Sequence, residues 1–431
     1  MGTNTTKGYF YLPALGASGQ SELDLYNAGQ QVADTQLPVF PQAYATGTGT
    51  AIDPWSGDCI DDALDAVPDG GTIFLRAGYY DVDGQIYSST KSFNLIGEGI
   101  GETILVTSLT SGVDAIFIET DHCTLKGFTL DCDSMTVVGT AYSGINVAAD
   151  YLVIENVEVT NAQSCGINMF ECNYAFLNNI YAHDTKVSHG VHPGGDASSE
   201  NMYNTYRNIY AYDNAKQGFD EDGGNSPIES LYNTYDNIHA WGNGLMGIAL
   251  ANMKSAVVTN CTSNGNTQRG FWLSILSDST FTNCISEENT LTGISIYGGS
   301  SDLTFVNCIV KNNSASGVTF TDGTDGIKFI GCNIYDDQET ATQNYSFELY
   351  GTNTNFVVDN CKLEPYQTGM YYDDAGTTDI LSTTGVVDGI DAVTGDVMYH
   401  NGTNWVRLAK GTEGQVLTMG ASNIPEWATP Q

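Results

Sequence analysis

A right-handed parallel β-helix, a solenoid of stacked short strands, is the fold class that this 431-residue sequence predicts. Three observations carry it. One row of Asn recurs every 23 to 29 residues, at Asn156, Asn179, Asn208, Asn237, Asn260, Asn283, Asn307 and Asn360, with Gly331 standing in once. A row of Gly followed by an apolar residue comprises Gly144, Gly166, Gly190, Gly218, Gly247, Gly270, Gly293 and Gly317, and from Asn156 to Asn307 each Asn is trailed by one of them after 10 or 11 residues. Between the marks lie apolar pieces such as Leu152 to Ile154 and Phe305 to Val306, too short to bury a core alone, so successive coils must stack them into a shared interior.

Residues 1–50 stand apart from this rhythm. Ser21 and Asp24 form a capping-box pattern before Leu25, Ala28 and Val32, which suggests a short helix in an attachment or assembly segment. Residues 51–375 form the predicted β-helix. At its start Ile60, Ala63, Leu64 and Val67 share one helical face after Ser56, a helix expected to cap the first coil. A second Asn row, at Asn214, Asn243, Asn266, Asn289 and Asn313, marks bends where stacked Asn side chains can hydrogen-bond between coils and tolerate left-handed backbone. Cys261, Cys284, Cys308, Cys332 and Cys361 recur at coil spacing, which favours a ladder of free buried thiols over disulfides. Residues 376–431 lose the rhythm and form a small C-terminal β module, whose Tyr399, Trp405, Val406 and Val416 exceed what so short a piece can bury.

Composition narrows the partners. With 51 acidic against 14 basic residues, a net charge of −37, the chain repels a polyanion, so nucleic acid is not expected. No apolar run approaches the about 18 residues of a membrane span, and the N-terminus lacks the basic and apolar regions of a Sec signal peptide, so neither membrane insertion nor a Sec leader is expected.

The candidate chemistry lies on the Gly-marked strands, where the residue after the Gly points inward and the next outward. The outward row reads Asn146, Asn168, His192, Asp220, Ala249, Trp272, Ser295, Thr319. The Gly-to-Asn interval, 12 to 14 residues in most coils, is 18 after Gly190 and 19 after Gly218, so the His192 and Asp220 coils carry longer loops. We expect His192, Asp220, Asp222, His189 and Arg269 to carry catalysis, with Asn168, Trp272, Tyr297, Lys216 and Glu221 contacting substrate. Of the three consecutive carboxylates Asp220, Glu221 and Asp222, one is expected to hold a proton, unless all three hold a cation. Trp272, Tyr297 and Phe170 offer rings to sugars, and Lys186, Arg207, Lys216 and Arg269 supply positive charge. A metal centre from His189, His192, Asp196 and Asp222 is disfavoured, because His189 and His192 are expected on opposite strand faces. No cofactor is required on this reading, and calcium is the ion an acidic site would admit.

The opening from Ile60 through Gly70-Gly71, Gly78-Tyr79-Tyr80 and Leu95-Ile96-Gly97-Glu98-Gly99 resembles the pectate-lyase-like superfamily of β-helix proteins, a likeness covering roughly residues 50–375. The tail, with Gly395-Asp396-Val397-Met398-Tyr399, Asn401-Gly402-Thr403-Asn404-Trp405 and Gly411-Thr412-Glu413-Gly414-Gln415, resembles the C-terminal module of phage tail fibres. That resemblance implies a virion or extracellular spike, usually homotrimeric, directed at a surface polysaccharide. Ser188-His189-Gly190 with Asp220 and Asp222 resembles the polygalacturonase set of glycoside hydrolases, although here the His motif precedes the aspartates. Gly218-Phe219-Asp220 resembles the opening of the mannuronan epimerase and alginate lyase motif, without the Pro-His pair that follows it there. The function expected is therefore a spike that binds polysaccharide along the β-helix and cleaves it as hydrolase or lyase. The alternatives are a non-catalytic glycan adhesin, a structural fibre and a uronan C5-epimerase.

Overall fold

The computed structural model describes residues 60–107, 112–133, 142–194, 201–223, 230–363 and 366–373, apart from 322. It also describes 109, the short strands at 41–42, 55–56 and 380–382, and tail residues 397–400, 405–420 and 424–430. The helix Ile60–Ala66 closes the solenoid, and Ile60, Ala63, Leu64 and Val67 are all buried on its inner face. The Ser21 helix expected within residues 1–50 lies outside the described residues, as do the long loops after Gly194 and Gly223.

Two stacks of parallel strands build the coils. One sheet collects the Gly-marked strands, from Ile86–Ser88 through Val191–Pro193 and Phe219–Asp222 to Gly369–Asp373. The other wraps the remaining sides through strands such as Val153–Thr160, Phe176–His183, Thr205–Tyr212 and Thr234–Trp241. Val191, Phe219, Ile248, Phe271, Ile294 and Val318 follow one another in register, each at most 2% exposed, as one inward core row.

Each residue row has a distinct physical cause. The Gly row exists for close approach: a Cβ on Gly190 would sit 2.6 Å from the Gly218 carbonyl oxygen, and one on Gly270 would sit 2.6 Å from that of Gly293. The first Asn row takes left-handed backbone, with φ of 51° to 61° from Asn156 to Asn360, where a short polar side chain tolerates it best. The second Asn row corrects the expectation in part. Asn214, Asn243, Asn266 and Asn289 each pass both backbone N–H and side-chain N–H to the next Asn Oδ1 at 3.0–3.1 Å. The left-handed turn falls instead on the residue before each, Asp213, Gly242, Gly265, Glu288 and Asn312. The ladder cysteines are free, and each thiol from Cys261 to Cys361 donates to backbone carbonyls of its own and the preceding coil.

The tail forms two antiparallel hairpins, Val397–His400 with Trp405–Leu408 and Val416–Met419 with Pro425–Ala428. Val416, Leu417 and Met419 are 45%, 46% and 63% exposed, an apolar edge that this chain alone leaves uncovered. No helix among the described residues is long and apolar enough to cross a membrane.

Candidate active site

Coil stacking turns the outward row into a chain of hydrogen bonds. Asp114 Oδ2 accepts from Asn146 Nδ2 (2.8 Å), Asn146 Oδ1 from Asn168 Nδ2 (2.9 Å), and Asn168 Oδ1 lies 2.9 Å from His192 Nδ1. Because an Asn amide whose nitrogen donates one way presents its oxygen the other, the sequence of donors fixes the last step: His192 carries its proton on Nδ1. Its Nε2 is then bare and points at Asp220 Oδ2, 3.7 Å away. His189 Nε2 reaches the same oxygen at 3.2 Å, and Gln217 Nε2 donates to it at 3.3 Å.

The two imidazoles stack, with centroids 4.6 Å apart and planes 18° from parallel. This corrects the expectation that they face opposite ways. Strand alternation does not run through the bend at Gly190, so the residue before the Gly and the residue two after it emerge on the same side. Cys165, His189, Gln217, Met246 and Arg269 occupy that pre-Gly column on successive coils, each carbonyl from His189 to Arg269 accepting from the Gly of the coil before.

Burial sets the proton inventory. It drives His189 down to about 3 and His192 to about 4, with the Lys216 charge acting in the same direction on both. Asp220 is pushed up to about 7, first by burial and then by repulsion from Asp222, against an opposing pull from Lys216. The favoured state near neutral pH is thus a protonated or half-protonated Asp220 facing two neutral imidazoles, the Nε2 of His192 being bare, a carboxyl group poised to give or take a proton.

Glu221 is a further correction. It follows Asp220 on the strand, so alternation sends it inward, where it is fully buried and accepts from Asn233 Nδ2 and Tyr235 Oη, both at 2.7 Å. It contacts no substrate, and Asp220, Glu221 and Asp222 cannot converge on one cation. Asp222 returns to the outward face, exposed, accepting from Asn252 Nδ2 at 2.9 Å. Lys216 is exposed beside the cluster.

Trp272 pairs with Ala249, and Ala249 with Asp220, so Trp272 stands two coils past Asp220, about 10 Å along the axis. It tilts against Tyr297 at 5.5 Å, and the Arg269 guanidinium lies 5.8 Å from the Tyr297 ring centre. Arg269, Trp272 and Tyr297 therefore form a second group, apart from the histidine centre. Phe170 packs toward Phe117 at 6.5 Å instead. Asp196 lies outside the described residues. The ligand atoms of Cys165, His189 and His192 lie within 4.8 Å of one another, a soft sulfur and nitrogen set unlike the oxygen shell that calcium takes.

Asp114, Asn146, Gln217 and Cys165 were not anticipated as site residues. Asn146 heads the outward row itself, and Gln217 and Cys165 occupy the pre-Gly column, a second row that the sequence displays equally.

The sequence family described as "Right handed beta helix region" matches residues 143–363. The chain belongs to that family. Among solved β-helix structures it is similar to the A-module of mannuronan C-5 epimerase AlgE4 of Azotobacter vinelandii, at 19% identity and TM-score 0.61, over 79% of this chain and 100% of that one. The AlgE6 A-module of the same organism follows at 18% and 0.59, over 76% and 93%. The Dettilon tailspike protein (gp208) aligns at 13% and 0.57, over 84% and 69%. At these identities the likeness establishes the β-helix fold alone. No curated protein sequence matches the chain.

Proposed function

We propose that this protein binds an extended polysaccharide along its Gly-marked sheet and performs acid–base chemistry on it at Asp220. The observation that carries the proposal is the convergence of His189 Nε2 and His192 Nε2 on one oxygen of the half-buried Asp220 carboxyl group, at 3.2 and 3.7 Å. A single carboxyl group between two neutral imidazoles, with Lys216 nearby to balance an acidic sugar, suits removal of the proton beside a uronate carboxylate, as in a lyase or C5-epimerase. Two of the structural relatives are named as mannuronan C-5 epimerases, which agrees with that choice. Hydrolysis is the second reading, favoured by Asp222 standing two residues along the same outward face, about 7 Å by strand rise, within reach of an inverting carboxylate pair.

The deciding assay incubates the full chain with mannuronan and polygalacturonate. It follows unsaturated-uronate absorbance, new reducing ends, and C5 proton exchange in heavy water. Asp220→Asn and His192→Ala are each expected to lower turnover about a hundredfold or more while retaining glycan binding. Wild-type activity that survives both substitutions would place the chemistry elsewhere.

The tail supports a virion or extracellular spike reading, with a homotrimer covering the exposed Val416, Leu417 and Met419 edge. On that reading, deleting residues 376–431 converts a trimer to a folded monomer in light scattering. A monomeric full-length protein would refute it.

A further inference from the structure

The corner that follows each strand of the site sheet turns on one left-handed residue. In five consecutive coils that residue is aromatic: His122, Tyr151, Tyr174, Tyr203 and Tyr232, at φ of 56° to 63°. Left-handed backbone costs an ordinary L-residue about 1–2 kcal/mol, and a bulky side chain is an outlier there. The following coils turn the same corner with Ser255, Asp278, Asp302, Gly326 and Asn355, so the fold does not require an aromatic. The aromatic stretch also ends where the polar row ends. Its coils are the ones bearing Phe117, Asn146, Asn168, His192 and Asp220, and it stops at the Ala249 coil.

The rings stack face to face, with centroids 4.7, 5.0, 5.1 and 5.2 Å apart and planes within 16° of parallel. The tyrosines are nevertheless 39% to 51% exposed, so what they present to solvent is a row of ring edges and phenol hydroxyls. Ring edges carry the positive end of the quadrupole, and hydroxyls donate, so the row suits an oxygen-rich ligand over an apolar one. Its repeat is one group per coil, close to the rise of one sugar in an extended β-linked glycan. Tyr232 is followed by Ser255, which leaves its far face without a stacked ring.

We propose that Tyr151, Tyr174, Tyr203 and Tyr232 form a rail that holds an extended polysaccharide parallel to the helix axis, feeding it past Asp220. This rests on the glycan-binding reading above and adds the direction of the chain and the residues that grip it. The test uses the full chain and the triple variant Tyr174→Asn, Tyr203→Asn, Tyr232→Asn, because Asn already occupies this corner at Asn355 and keeps the turn. The probes are size-graded oligosaccharides of mannuronan, polygalacturonate and 1,3-glucan, measured by calorimetry. Wild-type affinity should rise with length until the oligosaccharide has about as many sugars as the rail has rings. The variant should lose about tenfold or more for the long probes, remain unchanged for disaccharides, and melt no lower than wild type. Long probes bound equally by both proteins would overturn the rail and leave the glycan reading intact. A variant that binds normally but falls from oligomer to monomer would also overturn it, assigning the row to a subunit contact. A wild type that binds none of the probes would overturn both.

Discussion

Glu221→Gln isolates a buried carboxyl group whose folded environment differs sharply from water. Glu221 lies fully inside the coil against Asn233 and Tyr235, and burial outweighs those hydrogen bonds, pushing it from 4.5 up to about 7. An acid raised in this way binds its proton more tightly when folded. Its contribution to stability is therefore fully present below pH about 4.5 and is lost as the pH rises through about 7. The interval corresponds to about 3 kcal/mol. Gln keeps the side-chain shape and an acceptor while removing the titration, so the difference between the two proteins reports this one group.

Subtraction matters because the neighbours titrate too. Asp220, also raised, adds a loss in the same direction, whereas His189 and His192, held neutral by burial, withdraw stability as the pH falls below 6.5 toward about 3 and about 4 respectively. The raw wild-type profile is flattened between pH 4.5 and 6.5 by this opposition. Urea unfolding of both proteins at pH 4.5 and pH 8 should show the variant gaining on wild type by about 3 kcal/mol at the higher pH. An identical difference at both pH values would mean that Glu221 is not buried as described, and the inward assignment of the strand beside Asp220 would fall with it.

Two further outcomes follow from the coil register and the relay. Phe271→Ala removes a fully buried ring from the inward row between Ile248 and Ile294 and should cost about 3–5 kcal/mol in urea unfolding. A cost under about 1 kcal/mol would contradict the register. Asn168→Leu deletes the acceptor for His192 Nδ1–H and should shift the imidazole toward the other tautomer by nitrogen NMR while lowering turnover about tenfold or more. An unchanged tautomer would show that the Asp114 relay does not govern the ring.

The ladders were legible because a solenoid repeats its constraints. Each coil meets the same neighbour, so Gly at the close approach and Asn at the left-handed bend recur and expose the register. That register placed Asn168, His192 and Asp220 on neighbouring coils. What stayed hidden broke the repeat. Alternation by twos does not survive the bend at Gly190, so His189 was assigned to the wrong side. The same alternation sends Glu221 inward after Asp220, which splits the run of three carboxylates between the two faces of the strand. Asp114 precedes Gly144, the first mark of the Gly row, and so had no register to be read in.

Irregularity on a regular scaffold links these observations. Past the Asp220 coil, where the second Asn ladder runs from Asn243 to Asn313, each coil holds its neighbour by the same pair of 3.0–3.1 Å bonds, and no carboxylate among the described residues of that stretch is buried. In the His192 and Asp220 coils, by contrast, the molecule keeps two desolvated imidazoles, one carboxyl group raised to about 7 on the outward face and another raised to about 7 directly behind it. Each of these opposes folding at some pH, and a solenoid built from interchangeable coils has apolar substitutes for all of them at the same positions one or two coils away, such as Ala249 and Leu250. Retaining the costly set in adjacent coils, the same coils whose corners carry the tyrosine row, is economical only if the cluster acts on something that the rest of the scaffold does not.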